Sequence, residues 1–267
     1  MRKIFMAILL LSMIILAGCI GGGTTSNFGG KDNGKIVIGI DDEFPPICFH
    51  NERKELVGFD IDLAKETANR MGVEVEFKPI EWDKKREEIT SGNVDIIWNG
   101  LDITEERKEY MIFTKPYMDD RQIFLVKKSS DKNIKSEGDL AGKIVGMQAG
   151  STSEDYLYRD DNLKNSLGEC KTYKKFNDML EALEKEEIDV LICDELIARY
   201  EIKKHPNHFE LIDAKIDFVV KMAVGFRKED VELRDRVQEV FDEMIKDGTA
   251  RKISEKWFQA DLIKSAR

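Results

Sequence analysis

Arg107 closes the segment Trp98 to Arg107, read W-N-G-L-D-I-T-E-E-R, and its guanidinium is the first group in the chain with a clear chemical use. Thr104 has the character of a helix N-cap, and Glu105, Glu106 and Arg107 fall in the turn that follows. A cation there opposes the helix macrodipole, so the arrangement makes sense if Arg107 and nearby backbone N–H groups share a carboxylate. Pairing of Arg107 with a surface Glu is the alternative. The run Gln148-Ala149-Gly150-Ser151-Thr152 suggests a second anion site. Gly150 lets the backbone come close, and Ser151 or Thr152 caps a helix running through Tyr156. Asp194 offers a negative charge suited to an ammonium, and Phe44 and Trp82 offer flat apolar faces. For a cationic side chain those faces add about 0.5 to 2 kcal/mol of cation–π attraction. Taken singly, Thr152 and Asp194 read equally as N-caps, Trp82 as core, and Phe44, beside two prolines, as a turn plug. Taken together they suit a zwitterion.

The elements that must position these groups alternate. Lys35 to Ile40 reads as a buried strand that runs out at Asp41-Asp42-Glu43-Phe44-Pro45-Pro46. A helix is predicted from about Asp60 to Met71, with Ile61, Ala64, Ala68 and Met71 at helical spacing and Gly72 as its stop. Val73 to Phe77 is a second strand, Trp82 lies in the loop before a helix near Lys84 to Thr90, and Val94 to Trp98 is a third strand. This is a parallel α/β pattern. Phe113 to Tyr117 reads as a short loop and Gln122 to Val126 as another strand. The chain then starts again: Lys143 to Met147 (K-I-V-G-M) echoes Lys35 to Gly39, and Ile188 to Cys193 (I-D-V-L-I-C) echoes Val94 to Trp98 (V-D-I-I-W). Two similar lobes would produce this weak repeat. Met222 to Phe226 reads as a strand, Val231 to Lys246 as a long amphipathic helix, and Ile253 with Trp257 marks a last helix. In open parallel sheets ligands bind beyond the carboxyl ends of the strands. Asp41 to Phe44, Gly100 to Arg107, Gln148 to Thr152 and Asp194 all follow strands, and facing lobes would bring them into one cleft.

Composition limits the partners. The chain has 267 residues, 42% of them hydrophobic and 35% charged, with a formal net charge of −10. That charge, with no basic cluster free of interleaved acids, argues against nucleic acid. Arg2 and Lys3 precede an apolar run, Ile4 to Leu16, too short to span a membrane, which reads as an export signal over residues 1–18. Leu16-Ala17-Gly18-Cys19 resembles a lipobox, in which cleavage leaves Cys19 as a lipid-bearing N-terminus. An ordinary cleaved signal with an incidental cysteine is the alternative. The Gly, Ser, Thr and Asn-rich stretch to residue 34 reads as a flexible tether. Cys48, Cys170 and Cys193 are expected as free thiols, although Cys170 and Cys193 are candidates for a bridge. They and the scattered His50, His205 and His208 lack metal-site spacing, so no metal and no cofactor is expected.

The residues also resemble a known family, the polar amino-acid solute-binding proteins of ABC importers. The matching pieces are F-P-P at Phe44 to Pro46, G-F-D-I-D-L at Gly58 to Leu63, S-G-N-V-D at Ser91 to Asp95, G-L-D-I-T-E-E-R at Gly100 to Arg107, F-T-K-P-Y at Phe113 to Tyr117, D-L-A-G-K-I-V-G at Asp139 to Gly146, the Q-A-G-S-T run, I-C-D-E-L at Ile192 to Leu196, and the ending D-G-T-A-R-K-I-S-E-K-W-F. They cover about Lys35 to Phe258. The resemblance implies two Rossmann-like α/β lobes joined by a double crossover hinge, with residues 35–120 and 221–262 in one lobe and 121–220 in the other. It implies Arg107 and Thr152 on the ligand α-carboxylate, the Gly100 backbone and Asp194 on the α-ammonium, and Phe44 and Trp82 beside the side chain. Asp41 matches a position that approaches the distal cation of lysine, arginine or ornithine. Asp102 departs from the family, which has Ser or Thr there. This second acid strengthens the ammonium site, selects a cationic side chain, or turns to Arg107 and weakens the carboxylate clamp.

The favoured reading is therefore a monomeric lipoprotein on the outer membrane face that captures a polar amino acid and hands it to a permease, with no chemistry of its own. Arginine or lysine fits the acids, with glutamine, histidine and cystine open. A cyclohexadienyl or arogenate dehydratase-like enzyme, using Glu43, Asp102 or Asp194 as acid, is one alternative, and a sensor is another. The lipobox, the tether and the amino-acid clamp favour capture. Cys19→Ala is expected to release the protein from membranes, read by fractionation; unchanged retention counts against the lipid anchor.

Overall fold

The computed structural model describes residues 35–214 and 218–264. The export signal, Cys19 and the tether lie outside the described residues. Two sheets organise the chain. In the first, the strands run in the order Glu74–Pro79, Lys35–Ile40, Ile96–Ile97, Gly225–Arg227, Met111–Phe113. The first three are parallel, and the inserted Gly225–Arg227 is antiparallel to both its neighbours. In the second the order is Glu169–Tyr173, Ile144–Gln148, Val190–Asp194, Met118–Lys127, Phe209–Ile212, again with three parallel strands followed by an antiparallel one. The small antiparallel sheet Glu43–Phe44, Cys48–His50, Leu56–Val57 extends the first lobe.

The internal repeat is real at the level of single atoms. Asp95 exchanges two bonds with Val37: its N–H reaches the Val37 carbonyl at 2.8 Å and its carboxylate accepts from the Val37 N–H at 2.9 Å. Asp189 does the same with Ile144, at 2.8 and 2.9 Å. The aspartate of each V-D-I or I-D-V motif thus replaces a ladder bond with a side chain. That is why the strand expected from Val94 begins only at Ile96; it ends at Ile97. Each aspartate has a cation, Arg227 for Asp95 and Lys132 for Asp189, both at 2.9 Å.

The strand expected over Met222 to Phe226 is two strands. Val219–Met222 pairs with the start of the long strand Met118–Lys127, Val219 opposite Arg121 and Met222 opposite Met118. After Ala223 and Val224, Gly225–Arg227 enters the first sheet. The break is needed because one chain cannot serve both sheets in a single direction. The two antiparallel strands, Met118–Lys127 and Val219–Met222, are the double crossover joining two α/β lobes. Phe113 to Tyr117, expected as a loop, begins as the end of the edge strand Met111–Phe113.

The helices follow their sequence signals closely: Phe59–Met71 ends at a left-handed Gly72, and Val231–Lys246 keeps the expected bounds. Leu233, Val237, Val240, Phe241 and Met244 of the latter are buried in the first lobe's core with Ile36, Ile38, Phe59 and Trp98. The second lobe packs Phe176, Met179 and Leu183 on one face of its sheet, and Tyr156, Leu157 and Leu163 on the other. Gly58, at φ 149°, sits where an added Cβ would lie 2.1 Å from the Ile47 carbonyl oxygen. Backbone cannot yield as a side-chain tip can. Gly58→Ala is therefore expected to destabilise the protein by about 3 kcal/mol or more, read as a lower urea midpoint.

Candidate functional site

The carboxyl ends of the central strands meet between the lobes around a narrow cleft. Asp41, Phe44, Trp82, Gly100, Asp102 and Arg107 line it from the first lobe, and Ser151, Thr152 and Asp194 from the second. Gly150 stands just behind this lining and contributes its carbonyl.

Arg107 is 2% exposed, which removes the surface-pair alternative. Its Nη1 donates to the Asp102 carbonyl at 2.9 Å and to Thr152 Oγ1 at 3.3 Å, and its Nη2 to the Gly150 carbonyl at 3.3 Å. The helix around it, Glu105–Lys108, is a single turn, so the macrodipole argument fails. What holds the segment is the Thr104 hydroxyl, which accepts from the Arg107 N–H at 3.2 Å. Asp102 does not turn to Arg107 with its carboxylate, which instead accepts from Thr152 Oγ1 at 2.6 Å.

On the second lobe, Ser151 and not Thr152 is the N-cap, accepting from the Glu154 N–H at 3.4 Å. The expected anion site there is partly filled, since the Gly150 N–H donates to the Glu154 carboxylate at 2.6 Å. It is the Gly150 carbonyl that faces the first lobe, and it takes Lys85 Nζ at 2.6 Å as well as Arg107. A Cβ at Gly150 would lie 2.7 Å from Asp83 Cα, so only glycine, here at φ +69°, permits this approach.

Asp194 makes no capping bond. Its carboxylate accepts from Gln122 Nε2 at 2.5 Å. Asp41 accepts from Gln148 Nε2 across the cleft at 2.5 Å and from the Glu43 N–H at 3.0 Å. Trp82 belongs both to a core cluster with Ile89 and Tyr110 and to the cleft wall. Phe44 meets Phe176 of the opposite lobe edge-on, with ring centroids 6.4 Å apart. Burial, the largest influence in each case, raises the proton affinity of Asp41, Asp102 and Asp194. Cys48, Cys170 and Cys193 are free, Cys170 only half-buried.

The cleft between two lobes decides the class of protein once the sequence is compared. The model of bacterial extracellular solute-binding proteins, family 3, matches residues 36–260. The chain belongs to that family. It is 32% identical to the L-cystine-binding protein TcyJ of Escherichia coli K12 over 88% of this chain and 86% of that one. It is 28% identical to the arginine-binding extracellular protein ArtP of Bacillus subtilis, over 93% and 98%. A Streptococcus pneumoniae ABC uptake transporter substrate-binding protein, solved with bound histidine, superposes with a TM-score of 0.82 at 36% identity, covering 87% of this chain and 96% of that one. These are binding proteins, not enzymes.

Several buried residues around this solute-binding protein's cleft escape the sequence reading. Asp60 is fully buried and holds the cleft floor, accepting from the Gly100 N–H at 2.7 Å and from Tyr117 Oη at 2.9 Å. This leaves the carbonyl as the backbone group Gly100 can offer. Its place one turn before Ala64 in the apolar stripe is the signal that could have revealed it. Asp120 lies within reach of Asp102 and Asp194, each offering an oxygen within 4.8 Å of the others. Alternation of Met118, Asp120, Gln122 and Phe124 on the buried face of one strand would have placed it. Lys85 had no such signal, because W-D-K-K-R-E-E reads as a solvated helix start. Its side chain is buried, and burial followed by the nearby Arg107 lowers its pKa to about 7.

The Asp60 carboxyl is raised from 3.8 to about 7, chiefly by burial and against the bonds from Gly100 and Tyr117. A carboxyl raised on folding adds stability that is complete below the unfolded value and lost as pH climbs through the folded one. Stability should therefore rise as pH falls from about 7 to about 4. Asp60→Asn is expected to remove at most about 4 kcal/mol of that rise, read from urea curves across the range. An unchanged slope would count against this assignment.

Proposed function

We propose that this protein captures a free, cationic amino acid in the interlobe cleft and delivers it to the membrane permease of an ABC importer. The supporting observation is the meeting, in one buried cleft, of the Arg107 guanidinium with Thr152 on one side and with the carboxylates of Asp102 and Asp194 on the other. Arg107 holds Thr152 and Gly150 at 3.3 Å, the long end of hydrogen bonding. A ligand α-carboxylate offers stronger, bidentate, charge-assisted bonds. Asp194, Asp102 and the Gly100 carbonyl take the α-ammonium. Asp41, at the other end of the cleft, takes a distal cation, and Phe44, Trp82 and Phe176 flank the aliphatic stem. The relatives named for arginine, histidine and cystine support a polar amino acid, and the acidic lining leans to arginine or lysine.

The lobes proposed are 35–120 with 221–262, and 121–220, hinged at the paired crossover strands. Closure is driven because the ligand touches both lobes, so it binds the closed state better than the open one. A micromolar dissociation constant corresponds to about −8 kcal/mol, a fair demand on such a clamp. A lipid on Cys19 would hold the receptor, as a monomer, at the outer face of the membrane beside its permease.

Calorimetric titration of the purified chain, unfolded and refolded to strip carried-over ligand, against the common amino acids, ornithine, cystine and prephenate tests this. Saturable binding, tightest for arginine or lysine, is expected. Silence towards amino acids with turnover of prephenate or arogenate would make the cleft a dehydratase site. Arg107→Ala and Asp194→Ala are each expected to cost about 2 to 5 kcal/mol of binding, by leaving a buried charge unpaired. Wild-type affinity in either would overturn the site.

A further inference from the structure

We propose that Asp120 is a third carboxylate of the ammonium site, so that Asp102, Asp120 and Asp194 together enclose one unsubstituted primary ammonium and select ligands by its three N–H bonds. This rests on the amino-acid reading above and names the ligand group that the cleft discriminates.

The geometry carries it. The three side chains arrive from different parts of the fold: Asp102 from the loop after Ile96–Ile97, Asp120 from the crossover strand, and Asp194 from the end of a second-lobe strand. Each offers a carboxylate oxygen, and the three oxygens lie within 4.8 Å of one another. Some point therefore lies within about 2.8 Å of all three oxygens, in the range of a charge-assisted N–H···O bond. An ammonium nitrogen carries three donors to match three acceptors.

The bonding around the cluster leaves two acceptors available, with the Asp120 and Asp194 carboxyl groups lying against each other. Asp102 Oδ1 and Asp120 Oδ1 are buried and make no hydrogen bond among the described residues. Three of the other oxygens are held from behind. Asp102 Oδ2 accepts from Thr152 Oγ1 at 2.6 Å, Asp120 Oδ2 from Gln122 Nε2 at 3.4 Å, and Asp194 Oδ1 from the same Gln122 nitrogen at 2.5 Å. Ser153 Oγ donates in turn to Gln122 Oε1 at 2.5 Å, which fixes the orientation of that amide. A buried acceptor without a partner is costly, and an ammonium would satisfy the two at Asp102 and Asp120 while pairing with the neighbouring Asp194.

Charge points the same way. The groups acting on Asp120 are the carboxylates of Asp102 and Asp194, the Cys193 thiol and the Arg121 backbone N–H, and Arg107 is the cation whose charge acts on Asp102 and Asp194. Arg107 is already engaged by the Asp102 carbonyl, Thr152 and Gly150. Burial and the charges of Asp194 and Asp102 push the Asp120 carboxyl well above its ordinary range. An arriving ammonium offsets this repulsion at its centre. A divalent metal would demand more oxygen ligands than three carboxylate oxygens supply and would lie beside a guanidinium.

The test uses the full chain and calorimetry with L-arginine and L-histidine, each against its Nα-methyl form, and with calcium chloride alone. The wild type is expected to bind an unsubstituted amino acid about tenfold or more tightly than its Nα-methyl form, because one N–H bond to a carboxylate is lost. Asp120→Asn is expected to weaken the parent amino acid by about 10- to 100-fold and to narrow that discrimination. If that variant does not fold, the wild type alone decides: equal wild-type affinity for the two forms overturns the proposal. So does an Asp120→Asn protein that keeps wild-type affinity and discrimination, and so does calcium binding that competes with the amino acid. Wild-type silence towards every amino acid fails the amino-acid reading itself. Wild-type binding with an indifferent Asp120 fails only this proposal.

Discussion

Like charges brought together away from water shape this protein more than any other interaction. Asp102 belongs to one lobe, Asp194 to the other, and Asp120 to the strand that joins them, so the distance between lobes is also the distance between carboxylates. Bringing carboxylates this close in a poorly hydrated cleft is opposed by several kcal/mol unless protons or a cation intervene. The closed cleft is therefore stable in proportion to what fills its acidic corner. In the proposed site, ligand recognition and lobe closure would be one event, because the contacts proposed to identify the ligand would also relieve the repulsion.

Against this repulsion stands a set of direct bonds between the lobes. The Gly150 carbonyl receives two cations from the opposite side, Lys85 and Arg107. Gln148 reaches Asp41, and Thr152 bridges Arg107 and Asp102 by accepting from one and donating to the other. These bonds need close backbone approach, which explains glycine at position 150. They also place a lysine in a buried setting where its ammonium is only weakly favoured, beside an arginine, so that its stability depends on the carbonyls of Gly150 and Trp82. Apart from the Phe44–Phe176 ring contact, these lobe contacts are polar groups that a ligand or water can also satisfy, as a reversible interface requires.

Much of this was legible in the residues. The alternation of strands and helices, the echo between V-D-I-I-W and I-D-V-L-I-C, and the polar groups following each strand were enough to place Arg107, Thr152, Asp194 and Asp41 at one cleft. The echo was better than it looked, since Asp95 and Asp189 make the same pair of bonds in their respective lobes. Other features depend on tertiary contact that no local pattern encodes. The run Met222 to Phe226 has the composition of one strand, and only the existence of two sheets forces it to break. Lys85 sits among charges that read as solvated, and its burial comes from a loop 65 positions away in sequence. Asp60 and Asp120 each stood in an apolar stripe where an acid is conspicuous. Both went unrecognised because a single acid in such a stripe gives no hint of its partner.

The mouth of the cleft carries a feature of another kind. Lys174 joins Glu81 at 2.9 Å, Lys175 joins Glu43, and Asn177 donates to Glu43 at 3.1 Å, all spanning the two lobes at the exposed rim. Exposed pairs of this sort contribute about 0 to 1 kcal/mol each and fade as dissolved ions screen them. None of these bonds involves a ligand. In dilute surroundings the rim therefore helps an empty receptor to close, which blurs the difference between empty and loaded shapes. In brackish surroundings that help disappears and closure rests on the buried acids and what they hold, so the salinity outside the cell sets how faithfully a closed receptor signifies a captured molecule.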